Sequence, residues 1–347
     1  MTQIRNIIRS RAPLRISFAG GGTDVSPYVE ERGGAVLNAT INRFAYATVM
    51  SKDDKEVEIV SVDYDITLKY SLEKDIAFDG QLDLIKGVIK KFRSKYNLEN
   101  GFKVFVHSDA PPGSGLGASS AMVIAVVSAF TKLLRLPLTP YDLAELAYEI
   151  ERIDVGVKGG KQDQYASAFG GINFIEFNKS LTIVNPLRIE KSILSELEYS
   201  LILGYIGNTR SSGNIIEKQI KSYKEGNSTS VSAMDNIKEL AFKMKNALLR
   251  RELLYFGKLL NEEWQEKKKM AEGISNETID YIYEEACKAG ALGGKISGAG
   301  GGGFMFFYTE FDKKIQVINR LKELGVQIMP FSFVEDGATS WEIKNEY

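Results

Sequence analysis

The chain nearly lacks the two side chains that most often hold metals or attack substrates, with one cysteine, Cys287, and one histidine, His107, in 347 residues. A single thiol excludes an intrachain disulfide and a thiolate zinc cluster. A single imidazole excludes multi-histidine metal sites and leaves His107 as the sole candidate base for a Ser-His-Asp triad. It stands beside a glycine-rich loop, where a structural role or a nucleotide contact suits it better than that of a base. Acid–base work therefore falls to a carboxylate, and any metal is expected to be a hard cation held by oxygens. Charge of one sign is also missing. The 44 Lys and Arg face 45 Asp and Glu, a net charge of −1, which argues against nucleic acid or an anionic membrane as partner. The longest apolar run, residues 121–130, is interrupted by Ser128 and falls far short of the ~20 residues a membrane span needs. The first eleven residues are polar and basic without an apolar core, so no secretory signal is read there and a cytoplasmic location is expected.

What is present is ordinary in bulk and unusual in one residue. Hydrophobic residues make up 44% and charged residues 26%, as in a folded globular protein. A length of 347 residues exceeds the ~250–300 at which single cores stop growing, so two domains are expected. The strand-rich first half gives way to helices near residues 185–200, and the division is placed at 1–190 and 191–347. Three helical segments are expected across residues 212–289, and the class is α+β, with two layered domains and a cleft between them. Most of the 32 glycines gather at residues 20–22, 33–34, 113–117, 156–160, 170–171 and 293–303, where backbone must approach something closely or adopt positive φ.

The strongest motif is Pro111-Pro112-Gly113-Ser114-Gly115-Leu116-Gly117-Ala118-Ser119-Ser120, followed by an apolar helix to residue 136. Glycines at alternate positions leave backbone N–H groups uncovered, and the helix that follows adds unpaired N–H groups and its positive dipole end. This is an anion site suited to a nucleotide triphosphate, with Ser119 and Ser120 placed to touch a phosphate or a bridging metal. Capping by Ser119 alone would not call for three alternating glycines. The loop is neither a Walker loop nor a dinucleotide fingerprint, because the residue spacings differ.

Further along, Glu151 precedes Gly159-Gly160-Lys161-Gln162-Asp163. Phosphoryl transfer needs a carboxylate to orient the attacking hydroxyl and oxygens to hold Mg²⁺; Asp163 suits the first role, Glu151 with Ser119 the second. Read singly, Asp163 is a helix cap and Glu151 a solvated charge; beside the glycine loop the functional reading gains. Arg15, inside the first strand, requires a partner, and Asp163 is the candidate. Gly21-Gly22-Thr23-Asp24 offers a carboxylate to substrate hydroxyls, or merely a turn. Lys295 and the glycine run with Gly300 and Gly301 imply contact with a ligand, with another loop, or both. Arg210, between Thr209 and Ser211, marks a small second anion site or a solvated cation near a helix start.

Taken together, residues 12–24, 111–121 and 295–304 resemble the three motifs of the GHMP small-molecule kinases, in order and across almost the whole chain. The resemblance implies an N-terminal domain like domain 2 of ribosomal protein S5, a ferredoxin-like C-terminal domain, and ATP lying against the Gly113–Gly117 loop. It also implies that Asp163 is the catalytic aspartate, that Arg15 is its basic partner, that Glu151 and Ser119 are magnesium ligands, and that Asp24 binds sugar. Galactokinases carry Glu-His where this chain has Gly21-Gly22, Arg15 replaces the lysine of mevalonate kinases, and the Glu151–Asp163 interval is one residue longer than in the latter. The run from Pro13 to Asp24 is most similar to the subfamily that phosphorylates the anomeric hydroxyl of D-glycero-D-manno-heptose 7-phosphate. Such an acceptor needs a second anion site, for which charge alone nominates Arg210 or Lys295. The expected partners are ATP, Mg²⁺ and a sugar phosphate, with a homodimer open. A kinase for another sugar such as fucose, and a non-catalytic ATP- and sugar-binding sensor, remain the alternatives.

Overall fold

The structure, a computed structural model, describes residues 6–207 and 212–343. The chain opens with β1 (Ile7–Ala19), α1 (Tyr28–Arg32), β2 (Gly34–Ser51), β3 (Glu56–Ser61) and β4 (Ile66–Ser71). Next come α2 (Asp83–Tyr96), β5 (Phe102–Ser108), α3 (Ala118–Leu133) and α4 (Pro140–Tyr148). A π-helical turn (Glu149–Asp154) leads to α5 (Gln162–Phe169) and the hairpin of β6 (Ile172–Phe177) and β7 (Thr182–Pro186). Then follow α6 (Lys191–Ser200), β8 (Leu201–Tyr205), α7 (Ser212–Lys224), α8 (Ser228–Leu249), α9 (Leu253–Met270) and α10 (Glu277–Lys288). The chain closes with β9 (Ala291–Ile296), β10 (Phe304–Thr309), α11 (Lys314–Glu323), β11 (Gln327–Ile328) and β12 (Thr339–Ile343). Among the described residues no helix is long and apolar enough to cross a membrane.

The α+β architecture with two units is as expected. The first sheet runs β12-β1-β2-β5-β3-β4. β2 is long enough to pair with β6 through Gly34 to Ala39 and with β5 through Ala45 to Ser51, while β1 follows its other edge. The second sheet runs β11-β8-β10-β9 and is antiparallel throughout. From Leu14 to Ala19 β1 is buried on both faces, because α3 and α5 cover it from one unit and α8 and α9 from the other. Phe18 is the wedge between the units, its ring edge-on to Phe256 at 5.3 Å and Phe306 at 5.8 Å, each such pair adding about 0.5–1.5 kcal/mol beyond the area it buries.

Two expectations need correcting. The division at 191–347 does not hold to its end, since β12 pairs with β1 over five residue pairs and Phe333 bridges Ile41 of β2. An uncovered β1 edge would present a row of unpaired N–H and C=O groups, and β12 returns to cover it. Four helices, not three, fill residues 212–289. The extra break lies at Arg251, whose left-handed backbone (φ 65°) turns α8 back along α9 within a charged stretch that lacks helix-breaking glycine or proline.

Candidate active site

The loop between β5 and α3 is a backbone cradle. Gly113, Gly115 and Gly117 take φ of 73°, 85° and 75° with ordinary residues between them, and such alternation of backbone hand turns successive N–H groups into an anion-binding concavity. α3 begins at once after Gly117 with no side-chain cap, so its first N–H groups and its dipole face the same space. The loop is held from behind. Its Ser114 carbonyl accepts from Phe304 N at 2.9 Å and its Leu116 carbonyl from Arg15 N at 3.0 Å. A Cβ at Gly298 would press on the Gly115 backbone, and one at Gly303 would collide with the Ser114 carbonyl. The third glycine run therefore works chiefly by loop contact. Gly298 and Ala299 reach the cleft, whereas Gly300 and Gly301, expected to touch substrate, pack against Ile274, with Gly301 N donating to its carbonyl at 2.9 Å.

Arg15 ties these parts together. Its Nε lies 2.8 Å and its Nη2 2.7 Å from Oδ1 of Asp163, while Nη1 donates to the Gly115 carbonyl at 2.7 Å and to Ser297 Oγ at 3.4 Å. Both guanidinium nitrogens take the same carboxylate oxygen. Asp163 Oδ2 bonds no donor among the described residues, and Asp163 keeps 23% of its side chain exposed against 2% for Arg15. Asp163 stands in the first turn of α5, as expected, and a Cβ at Gly117 would lie 3.3 Å from Oδ2. Glycine at that position keeps the way to the carboxylate open.

Asp24 is buried beside them, accepting from Gly22 N at 3.0 Å and from Gln162 N at 2.9 Å. Any side chain at Gly160 would collide with its carboxylate. Gly21 and Gly22 line the cleft with it. Thr23, expected at the substrate, is instead fully buried, its hydroxyl donating to the Gly20 carbonyl at 2.8 Å and accepting from Ala35 N at 3.1 Å. It holds the turn closed.

Glu151 sits in the π-helical turn, fully buried. Its Oε2 accepts from Ser120 Oγ at 2.8 Å and from Gln164 Nε2, with Arg152 at 3.4 Å, and its Oε1 has no partner among the described residues. Burial pushes its carboxyl above the usual range, and Arg152 is the largest opposing influence. The hydroxyl on Glu151 is thus Ser120; Ser119 is exposed and lies on the wall shared by two cavities. One cavity, of about 160 Å³, is lined by Arg15, Asp24, Glu151 and Asp163 among others. The neighbouring one, of about 520 Å³, has walls of Tyr64, Ile66, Ile85, Pro112 and Met122. His107 lies outside both, stacked on Tyr46 with ring centroids 4.6 Å apart.

The two residues nominated for a second anion site stand differently. Arg210 lies outside the described residues. Lys295 does not line the cleft but is buried beneath it, paired with Glu263 at 2.5 Å and donating to the Phe18 carbonyl at 3.3 Å. Burial lowers its pKa to about 8. Two lysines do line the cavity, the exposed Lys158 and the buried Lys267 of α9, and the second is easily passed over inside the run Lys267-Lys268-Lys269. The sequence does carry a signal for it: Leu260, Glu263, Lys267 and Met270 recur at the spacing of one helix face, and all four are buried. Gln162 and Gln164, likewise buried at the site, are further residues that no motif singles out.

Residues 83–171 match the GHMP kinases N terminal domain and residues 244–327 match GHMP kinases C terminal. The chain is 42% identical to D-glycero-alpha-D-manno-heptose 7-phosphate kinase of Campylobacter jejuni, across 97% of this chain and 99% of that relative. Its fold superposes, with a TM-score of 0.83 and 41% identity, on a D-glycero-D-manno-heptose 1-phosphate kinase from Bacteriodes thetaiotaomicron, covering 97% and 100% of the two chains. A bifunctional fucokinase/GDP-fucose pyrophosphorylase of Arabidopsis thaliana is 27% identical over 90% of this chain and 31% of that much longer protein.

Proposed function

Because the chain belongs to the GHMP kinases, a family that uses ATP, we propose that it transfers the γ-phosphoryl group of ATP to the anomeric hydroxyl of D-glycero-D-manno-heptose 7-phosphate. The observation that carries the chemistry is the Arg15–Asp163 pair set beside the glycine cradle, with one oxygen of Asp163 unbonded among the described residues. The acceptor assignment is supported by the Campylobacter relative, similar over almost its entire length.

In this reading the adenine lies among the apolar walls of the larger cavity, and the phosphates cross the wall at Ser119 to the Gly113–Gly117 amides and the start of α3. The sugar sits in the smaller cavity with a hydroxyl on Asp24. Oδ2 of Asp163 takes the anomeric proton as the sugar oxygen bonds to the γ-phosphorus and the bond from phosphorus to ADP breaks. Arg15 fixes the orientation of the carboxylate through Oδ1 and sets positive charge beside the transferring group. The residues present also fit Mg²⁺, since Glu151 has a buried oxygen without a partner among the described residues, the Ser120 hydroxyl bonds its other oxygen, and Ser119 lines the same cavity. Glu151 with Ser119 or Ser120 would hold the ion, which when bound neutralises charge on the β- and γ-phosphate oxygens.

The test is ADP release with Mg-ATP across heptose 7-phosphate, mannose 6-phosphate, fucose, galactose, mevalonate and homoserine, with phosphorus NMR of the product. A 1,7-bisphosphate is expected. Turnover of fucose alone would keep the chemistry and replace the acceptor. Binding of ATP and sugar without turnover would leave a sensor.

A further inference from the structure

Lys267 is a buried cation that the transfer chemistry does not use. Its side chain lines the cavity of Asp24 and Asp163 although the residue is only 4% exposed, and its one hydrogen bond among the described residues is a long one, 3.4 Å, to the Gly21 carbonyl. It forms no ion pair among the described residues. The nearby carboxylates hold other partners: Glu263 pairs with Lys295 through Oε1, its Oε2 bonding nothing among the described residues, and Asp24 takes the Gly22 and Gln162 backbone N–H groups. A buried ammonium left this way costs free energy unless an anion arrives to complete it.

Lys267 has polar neighbours at a tight corner of the cavity. Gly21 and Gly22 carry no side chains there. From the Cβ position of Gly21, Ser17 Oγ is 3.2 Å away, Gln162 Nε2 3.3 Å and Lys267 Nζ 3.6 Å; from that of Gly22, the Met270 methyl is 2.5 Å, Gln219 Nε2 2.8 Å and Gln219 Oε1 3.2 Å away. Gln219 Nε2 also donates to the Gly22 carbonyl at 3.0 Å. Gln162 and Gln219 are themselves buried. The corner adjoins Asp24, which joins it through the Gln162 backbone to Asp163, the next residue of α5.

We propose that this corner is the subsite for the phosphate the acceptor already carries, with Lys267 as its charged contact and the Gln162 and Gln219 amides beside it. A sugar with its anomeric oxygen at Asp163 and its ring hydroxyls on Asp24 extends its exocyclic chain along Gly21 and Gly22, where a side chain would push on Gln162, Gln219 and Met270 and narrow the cavity. Burial lowers the Lys267 pKa, with Glu263 and Asp24 the largest opposing influences, and an arriving anion would add to them. The inference rests on the phosphorylated-acceptor reading above and names the residues that select for it.

The experiment compares kcat/KM for heptose 7-phosphate with that for unphosphorylated heptose in the native enzyme and in Lys267→Met. The native enzyme is expected to favour the phosphorylated sugar strongly. In Lys267→Met the ratio should fall by about 10- to 100-fold, the worth of one charge-assisted hydrogen bond, through KM for the phosphorylated sugar, with KM for ATP little changed. Gly21→Ala, a small intrusion among side chains that can shift, should lower the same ratio and serves as the deciding variant if Lys267→Met fails to fold. A native enzyme without preference for the phosphorylated sugar overturns the acceptor reading and this subsite together. A native preference that survives in the folded variants overturns the subsite alone.

Discussion

Replacing Arg15 by methionine removes a guanidinium that holds Asp163, the Gly115 carbonyl and Ser297 at once. Breaking a buried ion pair by deleting one partner costs about 3–5 kcal/mol. Asp163 keeps 23% exposure, so water partly solvates the stranded carboxylate and the lower end, about 3 kcal/mol, applies. The Gly115 carbonyl loses a charged donor at 2.7 Å, adding roughly 1 kcal/mol at this half-buried position. Asp163→Asn strands the opposite charge, on an arginine only 2% exposed, at a cost of about 3 kcal/mol. The double variant leaves no stranded charge and is expected to cost only about 1 kcal/mol, for the Gly115 carbonyl, far below the roughly 7 kcal/mol of the single costs added together. Urea denaturation of the four proteins measures it, and melting points should fall by about 2–4 °C for each kcal/mol lost. Turnover should be equally non-additive, each single variant losing nearly as much as the double, because one group orients the other. Costs that add within about 0.5 kcal/mol would refute the idea that Arg15 and Asp163 act as a unit.

Other outcomes follow from the same geometry. Glu151→Gln removes a buried charge whose Oε1 has no partner among the described residues, so the metal-free protein should gain about 1–2 kcal/mol in stability while turnover collapses. The sign can be checked with pH. Burial raises the Glu151 pKa above its ordinary 4.5, so native stability is lost as pH rises through the raised value, and the variant's advantage should be full above it and absent below 4.5; an advantage independent of pH contradicts this. Gly303→Ala places a methyl against the Ser114 carbonyl at a φ of 88°, and should raise KM for ATP more than KM for the sugar, read by ADP release. Lys295→Met leaves Glu263 buried and unpaired and should destabilise by about 3–5 kcal/mol. Replacing Glu263 by leucine as well should recover most of that loss in thermal melts, and a selective rise in acceptor KM would instead return Lys295 to the substrate.

Much of the site is legible in the sequence because its signals are local. Alternating glycines before an apolar helix have few uses besides a backbone cradle, and Asp163 after a glycine pair falls in the first turn of a helix whatever surrounds it. Side-chain direction is not local in this way. Ser119 and Ser120 are adjacent, and only the placement of the π-helical turn, packed on α2 and α4, brings Glu151 to Ser120 and leaves Ser119 at the cavity wall. Lys267 and Lys295 look alike as isolated cations; what separates them is Glu263, one helical turn before Lys267 on α9, whose carboxylate meets Lys295 and not Lys267. Thr23 departs from its expected place at the substrate because a hydroxyl in such a motif looks the same whether it faces a ligand or closes a turn.

Composition, periodicity and backbone conformation act over a few residues, and they were enough to set the α+β class and the glycine cradle. They also confined the chemistry of a chain with one cysteine and one histidine to carboxylates, hydroxyls and backbone amides. Which of those groups meet was left to the packing. Arg15 and Asp163 stand 148 positions apart and Lys267 approaches Gly21 across 246, while β12 returns from residues 339–343 to close the first sheet. Such contacts depend on how two units pack around Phe18, and on which carboxylate reaches each buried cation first, and no local pattern encodes either.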